Sequence, residues 1–169
     1  HLEYYLQLVW PELNVNVVSS TEQWAGAAIA GPKSRDLLQK LFPELDVSKD
    51  GLPFMGYKEG NLFGTSAKIY RISFSGELAY EVNVESDKGY FMWEKIMEVG
   101  KEFNIQPYGT EALSTLRIEM GHVAGSELDG RTIPYDNSLE GLVSNKKDFI
   151  GKRSLSKSAY ISPDRQKIV

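Results

Sequence analysis

R-I-S-F-S-G-E-L-A-Y-E-V-N-V, residues 71–84, is the stretch that decides the fold of this chain. Apolar and polar side chains alternate in Arg71–Phe74 and again in Tyr80–Val84, and this period of two is typical of half-buried strands. The small polar stretch Ser75-Gly76-Glu77 between them is typical of a turn. The pattern therefore predicts a β-hairpin centred on that turn.

The two hairpin strands are predicted to span Ser66–Phe74 and Ala79–Glu85. Tyr80 and Glu81 are neighbours on the second strand, and neighbouring strand positions face opposite sides of a sheet. Only one of the two can therefore point away from the solvated face. If that residue is Glu81, a carboxylate is held in a pocket.

Further helices and strands are predicted on both sides of the hairpin. Helical spacing of apolar residues, with proline or glycine at the ends, indicates helices at Leu2–Trp10, Gly31–Leu41, Asp87–Phe103 and Thr110–Met120. Short alternating or apolar runs indicate strands at Val15–Ser19, Gln23–Ala30 and Phe54–Glu59, the last ending at a turn, Gly60-Asn61. A strand–helix–strand–strand–strand–helix order predicts an α+β sandwich that resembles ferredoxin-like units.

Composition excludes several classes of function. The 169 residues include 19 basic and 23 acidic residues. A net charge of −4 does not indicate the basic surface that binding to nucleic acid or to an anionic membrane requires. With no cysteine and two histidines, a cysteine-based or imidazole-rich metal site is excluded, and we expect no metal. No apolar run approaches the ~20 residues of a membrane span, and no secretory signal peptide is visible. The absence of cysteine fits a cytoplasmic protein, which is our expectation.

Both ends of the chain suggest that it is a piece of a longer protein. The sequence opens on His1-Leu2-Glu3, without an initiator methionine, and closes on Gln166-Lys167-Ile168-Val169, a stretch typical of the start of a strand. We therefore expect one partial domain over residues 1–155. Residues 156–169 are then a linker and the start of a further domain.

Few residues of this chain suggest chemistry. It carries no phosphate loop, dinucleotide-binding glycine fingerprint, nucleophile elbow or metalloprotease helix. A serine triad would depend on His122, whose position at a helix end favours a structural role, and no catalytic residue is assigned.

The remaining constellation consists of Tyr80, Glu81, Arg117 and Glu119. A shielded carboxylate is a natural bidentate acceptor for a flat heterocycle that presents an amino group beside a ring N–H, as pterins and guanine do. A neighbouring tyrosine can supply a stacking face. The alternative is that Glu81 and Arg117 form a buried structural ion pair.

Three motifs give the chain a resemblance to the aminomethyltransferase family, the glycine-cleavage T-protein and its relatives. S-F-S-G-E-L-A-Y-E-V (Ser73–Val82) resembles the signature Y-T-G-E-x-G-Y-E-[IV] of that family. G-T-E-A-L-S-T-L-R-I-E-M-G-H (Gly109–His122) resembles its following helix, and D-F-I-G-K-R-S-L (Asp148–Leu155) its D-F-I-G-[KR]-x-[AS]-L motif. Within the family, the chain most resembles the carboxy-terminal part of the sarcosine oxidase alpha-subunit branch. This resemblance is carried by P-Y-G-T-E-A-L (Pro107–Leu113) followed by L-R-I-E-M-G-H (Leu116–His122), together with Thr21–Ala25 and Arg131–Asp136.

The resemblance implies a tetrahydrofolate-binding domain that accepts a one-carbon unit from an oxidised N-methyl amine and yields 5,10-methylenetetrahydrofolate. Glu81 matches the pterin-binding glutamate, Tyr80 its aromatic neighbour, and Arg117 an arginine for the folate tail or for holding the pocket together. Leu113 stands where the T-protein pattern often has another arginine, so recognition of the folate tail is expected to differ. Flavin and nicotinamide cofactors would belong to the parent complex, as would the partner subunits of a hetero-oligomeric oxidase.

Two other interpretations stay open. The chain could be part of a T-protein or of a dimethylglycine oxidase, both of which share the motifs. It could also be a non-enzymatic assembly module in which the folate site is vestigial. In that case the surface around Phe149–Arg153, with its cluster of basic side chains, would dock another subunit.

Overall fold

The computed structural model describes residues 1–167, and the chain divides into two compact units, His1–Gly109 and Thr110–Val169. The predicted division into residues 1–155 and 156–169 stays a prediction. Of the strand start predicted at the carboxyl end, Ile168 and Val169 lie outside the described residues.

The first unit contains a four-stranded sheet and three helices. The strands are β1 (Trp24–Ala30), β2 (Tyr57–Leu62), β3 (Thr65–Tyr70) and β4 (Ala79–Glu85). The helices are α1 (Leu2–Tyr4, continued by a π-helical turn at Tyr5–Val9), α2 (Ser34–Leu41) and α3 (Gly89–Gly100). Short 3-10 turns lie at Thr21–Gln23, Ser86–Lys88 and Lys101–Phe103. The α+β class is confirmed.

The sheet is antiparallel throughout, in the order β1-β4-β3-β2. Helix α2 packs against α3 and β4, and α3 also contacts β1, so both helices cover one face of the sheet. The core lies between the two layers. Its fully buried large side chains are Phe42, Leu38, Leu41, Leu52, Leu62, Ile69, Val47, Tyr80, Val82 and Val84. On the opposite face, β4 carries Glu81, Asn83 and Glu85, whereas β1 carries only apolar residues.

The turn between β2 and β3 lies three residues later than the sequence suggested. Phe63 and Gly64 form it with φ of 48° and 96°, the left-handed conformations that a two-residue hairpin turn requires. The predicted turn at Gly60-Asn61 is wrong, because both residues belong to β2. A β-carbon at Gly60 would lie 2.7 Å from Leu45 Cδ1, so this glycine permits close packing within a strand.

Strand β3 ends at Tyr70, and the predicted continuation to Phe74 is wrong. Arg71 exchanges backbone hydrogen bonds with the loop before β2: its carbonyl accepts from Met55 N at 2.8 Å and its N–H donates to Gly56 O at 2.9 Å. Its guanidinium also donates to the Ala79 carbonyl at 3.0 Å. Arg71–Leu78 is therefore a connection between β3 and β4, held at both ends by Arg71.

The strand predicted at Val15–Ser19 is also wrong. These residues are exposed and belong to no strand, so their apolar side chains have no covered face to occupy. The strand predicted at Gln23–Ala30 is confirmed as β1. Strand β2 replaces the predicted Phe54–Glu59, shifted by three residues because Phe54 lies in a turn.

The second unit begins with α4 (Thr110–Glu119), which confirms the helix predicted at Thr110–Met120. Gly121 ends it with φ of 77°, the left-handed conformation common after helices. Residues 120–167 are irregular, with 3-10 turns at Glu140–Leu142 and Lys152–Ser156. An ion pair between Asp136 and Arg165 holds two of its distant segments together.

Candidate functional site

Tyr80 and Glu81 lie on opposite faces of the sheet. The Tyr80 side chain is 0% exposed and belongs to the core beneath α2. Glu81 is half-buried and therefore lies on the outer face, away from the helices. Of the two alternatives that the sequence left open, the inward-facing residue is Tyr80, so the Glu81 carboxylate is not enclosed in the core.

Glu81 is part of a row of side chains that crosses all four strands on the outer face. In register, Tyr57 on β2 lies opposite Tyr70 on β3, Tyr70 opposite Glu81 on β4, and Glu81 opposite Ala28 on β1. Directly opposed residues of antiparallel strands have β-carbons only ~4.5–5.5 Å apart and point to the same side. We call these four residues the outer row. It places two aromatic rings on one side of the carboxylate and a methyl group on the other.

The Glu81 carboxylate has no hydrogen-bond or ion-pair partner within the first unit, His1–Gly109, all of which the structure describes. Ala28, its neighbour on β1, is exposed and small. The carboxylate oxygens are therefore available as acceptors on a half-covered surface. Such an arrangement suits a ligand with two adjacent donors.

The row of residues next to the outer row, on the same face of the sheet, contains polar side chains that contact one another or their neighbours. Lys68 lies opposite Asn83, and Asn83 lies opposite Gly26. The Lys68 ammonium sits 3.7 Å from the centre of the Trp24 ring, a cation–π contact at the end of β1. A β-carbon at Gly26 would lie 2.7 Å from Asn83 Oδ1, so the Asn83 side chain lies over this glycine. This row bounds the outer row on one side.

The phenol of Tyr80 is an unusual buried group. Its hydroxyl oxygen is buried and has no hydrogen-bond partner among the described residues. Burial raises the pKa of Tyr80, and the Arg35 and Arg71 guanidinium groups oppose this shift. Arg71 lies near the ring, with its guanidinium carbon 5.3 Å from the ring centre, but it does not meet the geometry of a hydrogen bond to the hydroxyl. Since the ring is fully covered by protein, it presents no free face on which a ligand could stack. The stacking role that the sequence suggested for Tyr80 therefore does not match its position.

Arg117 lies on α4, in the second unit, where its partner is Glu127. One guanidinium nitrogen, Nη1, donates to Glu127 Oε2 at 2.5 Å and the other, Nη2, to Oε1 at 3.4 Å. The Arg117 side chain is only 12% exposed. Hydrogen bonds from Arg117, Ser126 and the Ala124 N–H lower the pKa of Glu127 to about 2. This pairing suits a residue that holds its surroundings together.

Each unit contains an apolar cavity. A cavity of about 370 Å³ in the first unit is lined by the end of β1, the start of α2, one side of α3 and residues 103–108. A cavity of about 470 Å³ in the second unit is lined by residues that include Leu142, Phe149 and Ile150. Neither cavity includes Tyr80, Glu81 or Arg117 in its lining.

Residues 1–167 offer neither a metal site made of acidic and histidine side chains nor a membrane-spanning helix. These residues contain no cluster of three or more histidine, aspartate or glutamate side chains that could hold a metal ion. Nor do they form a helix that is both long and apolar enough to cross a membrane.

The sequence pointed to Glu81 and missed the two aromatic residues beside it. Tyr57 and Tyr70 lie outside the motif that drew attention to the hairpin, and their proximity to Glu81 depends on strand register. The sequence signal for Tyr70 was the alternation in Thr65–Tyr70. This alternation shows which residues of the strand share a face of the sheet, but it does not identify their neighbours on the adjacent strands.

Comparison with known proteins places the chain in a family. The model of the GCVT N-terminal domain matches residues 1–147. Sarcosine oxidase subunit alpha of Corynebacterium sp. (strain P-1) is 48% identical over 170 residues, 99% of this chain and 18% of that protein. The same subunit of Rhizobium meliloti (strain 1021) is 46% identical over 172 residues, 100% of this chain and 17% of that protein.

The chain is also similar, at lower identity, to an aminomethyltransferase. The aminomethyltransferase of Halothermothrix orenii is 36% identical over 143 residues, 83% of this chain and 39% of that protein. This chain thus spans less than a fifth of the sarcosine oxidase subunits, at 17–18% of their length, and less than half of the aminomethyltransferase. Since the family model matches most of its residues, the chain belongs to the GCVT N-terminal domain family.

Proposed function

We propose that this chain is part of a tetrahydrofolate-binding domain in a sarcosine oxidase alpha subunit, where it helps to bind the acceptor of a one-carbon unit. The amine would be oxidised elsewhere, at a flavin site in the parent complex. The product on the folate side would be 5,10-methylenetetrahydrofolate. The protein would be cytoplasmic and would work with the other subunits of a hetero-oligomeric oxidase.

One observation carries the proposal: the Glu81 carboxylate lies on the outer face without a partner in the first unit, within the motif that resembles the family signature. A reduced pterin presents an amino group beside a ring N–H, and two parallel N–H donors match the two oxygens of a carboxylate. Bound tetrahydrofolate supplies the nitrogens that take up the one-carbon unit. Glu81 would fix the orientation of the ring, while Ala28 beside it leaves room for a flat ligand.

Arg117 has a supporting role in this proposal. Its guanidinium is already engaged by both oxygens of Glu127, so we propose that it stabilises the second unit of the folate domain. A contact with the folate tail would require Arg117 to share its donors. It has five N–H groups, and not all of them are used by Glu127 and by the carbonyl of His122.

The test is calorimetric titration of the intact native protein with tetrahydrofolate. We expect Glu81→Gln to weaken binding by about 1.5–3 kcal/mol, because a charge-assisted acceptor is replaced by an amide with one acceptor and one donor group. Glu85→Gln is the matched control, since Glu85 lies on the same face of β4 but is exposed at its end. Equal affinity of the wild type and Glu81→Gln would remove Glu81 from this role.

A second candidate function rests on the second unit. The basic segment that includes Lys147 borders the cavity of about 470 Å³ lined by Phe149 and Ile150, and Leu142 beside it is 80% exposed. Exposed apolar side chains next to a groove are typical of surfaces that contact other proteins. The alternative is therefore an assembly module with a vestigial folate site. A complex that assembles normally but does not bind tetrahydrofolate would favour it, and loss of assembly in Phe149→Ser would locate the contact.

A further inference from the structure

We infer that Tyr70, and not Tyr80, is the aromatic residue that stacks on the pterin held by Glu81, and that Tyr57 positions it. This inference rests on the proposed function and adds to it the residues that determine specificity for a flat aromatic ligand. It identifies the outer row as one binding surface, with the acceptor and the stacking ring in adjacent strands.

The register between β3 and β4 determines which aromatic residue lies beside Glu81. Tyr70 on β3 is the direct cross-strand neighbour of Glu81 on β4, on the same face of the sheet. Tyr80 is the neighbour of Glu81 along the chain, and for that reason it points to the opposite face. Since Tyr80 is 0% exposed and Tyr70 is half-buried, only Tyr70 combines proximity to the carboxylate with an accessible ring.

Tyr57 fixes the position of the Tyr70 ring. The two ring centres are 5.1 Å apart and the ring planes are inclined by 38°. The Tyr57 hydroxyl donates a hydrogen bond to Glu59, two residues along β2 and on the same face, and this bond raises the pKa of Tyr57 to about 12. Tyr57 is thus held at its outer end and supports one side of Tyr70. An aromatic ring whose position is fixed in advance loses little conformational freedom when a ligand binds.

On the side of Glu81 away from Tyr57 and Tyr70, the outer row has no large side chain. Ala28 lies across Glu81 on β1, is exposed, and extends no further than a methyl group above the sheet. A bicyclic ring that donates to Glu81 can therefore extend over β1 or lean toward Tyr70. Offset stacking on Tyr70 would add a contact that the carboxylate alone does not provide. Selectivity for a bicyclic ring over a smaller ligand that presents the same pair of N–H donors would come from this contact.

The experiment compares variants of the intact native protein by calorimetric titration with tetrahydrofolate. We expect Tyr70→Leu to raise the dissociation constant about five- to tenfold, because stacking on an aromatic face is lost. Tyr70→Phe keeps the ring and should bind within about twofold of the wild type. Tyr90→Leu is the matched control, since Tyr90 is 75% exposed at the start of α3, on the other side of the sheet.

The variant Tyr70→Trp tests directly whether the ligand contacts the side chain at position 70. Stacking of a pterin on the new indole should quench its fluorescence, whereas a residue that only stabilises the sheet would show no quenching that follows ligand saturation.

The outcomes separate the two proposals. If the wild type binds no tetrahydrofolate, both the proposed function and this inference are wrong. If Glu81→Gln weakens binding and Tyr70→Leu does not, the proposed function stands and the inference is overturned. The inference is also overturned if Tyr90→Leu weakens binding as much as Tyr70→Leu, or if Tyr70→Trp shows no quenching at saturation.

Discussion

Tyr80 and Glu81 are adjacent in sequence but are expected to respond in opposite ways to conservative substitution. Tyr80→Phe removes a buried hydroxyl that has no hydrogen-bond partner in residues 1–167, whereas Glu81→Gln changes a half-buried group on the outer face. The first substitution should change stability without changing ligand affinity. The second should change affinity without changing stability.

The magnitude for Tyr80→Phe follows from two opposing contributions. Leaving a buried hydroxyl unsatisfied costs about 1–3 kcal/mol, which the substitution recovers. The void left by one oxygen atom removes some packing and offsets part of this gain, since a missing methyl-sized group costs about 1 kcal/mol. We therefore expect the sheet to become more stable by about 1 kcal/mol.

Hydrogen exchange measured by mass spectrometry on the intact protein is the suitable assay. Peptides that cover β1 and β4 report the local opening free energy, so the measurement does not require the whole protein to unfold in one step. A gain of about 1 kcal/mol slows exchange of these strands about fivefold in Tyr80→Phe. Glu81→Gln should leave the exchange of the same peptides unchanged.

Two results would refute this reasoning. Faster exchange in Tyr80→Phe would mean that the hydroxyl contributes a stabilising interaction, contrary to its lack of a partner. Loss of tetrahydrofolate binding in Tyr80→Phe, together with normal binding in Glu81→Gln, would mean that the two residues occupy the faces opposite to those described.

Three further predictions concern the scaffold. Gly60→Ala should destabilise the first unit by about 1–3 kcal/mol, because the added carbon overpacks the core. Gly109→Ala is the control, since a β-carbon there would meet nothing within 4 Å. Equal urea midpoints for the two variants would contradict the close packing at Gly60. Gly64→Ala should cost about 1–2 kcal/mol, because φ of 96° is left-handed, and an unchanged thermal midpoint would argue against that turn. Arg165 lowers the pKa of Asp136 from 3.8 to about 2, so the contribution of this pair to stability is complete above pH 3.8 and is lost as the pH falls toward 2. Arg165→Gln should therefore unfold at a higher pH in an acid titration followed by circular dichroism, and superimposable acid curves would contradict this.

The sequence allowed the helices and the central strands to be predicted, because periodic burial leaves a direct pattern. The helix at Thr110–Glu119 and the strand at Trp24–Ala30 lie within two residues of their predicted bounds. The dipeptide Gly60-Asn61 misled the turn prediction. Its glycine is required by side chains from distant parts of the chain, and a local rule has no access to them.

The site was less predictable than the fold, since it depends on strand register. Alternation in Ala79–Glu85 showed that Tyr80 and Glu81 differ in face, but not which of them faces the helices. Only the pairing of β3 with β4 brings Tyr70 beside Glu81. Val15–Ser19 shows the converse, because an alternating pattern does not form a strand without a neighbour to pair with.

The outer row takes a single residue from each of four strands, so its integrity depends on three separate alignments between neighbouring strands. Deleting one residue within any strand would turn every later side chain of that strand to the other side, which would carry Tyr80 outward and Glu81 inward if it happened in β4. Length variation among homologues of this unit should therefore concentrate in the connections other than Arg71–Leu78, whose spacing to Glu81 matches the family signature. The strands themselves should tolerate substitutions but neither gain nor lose residues.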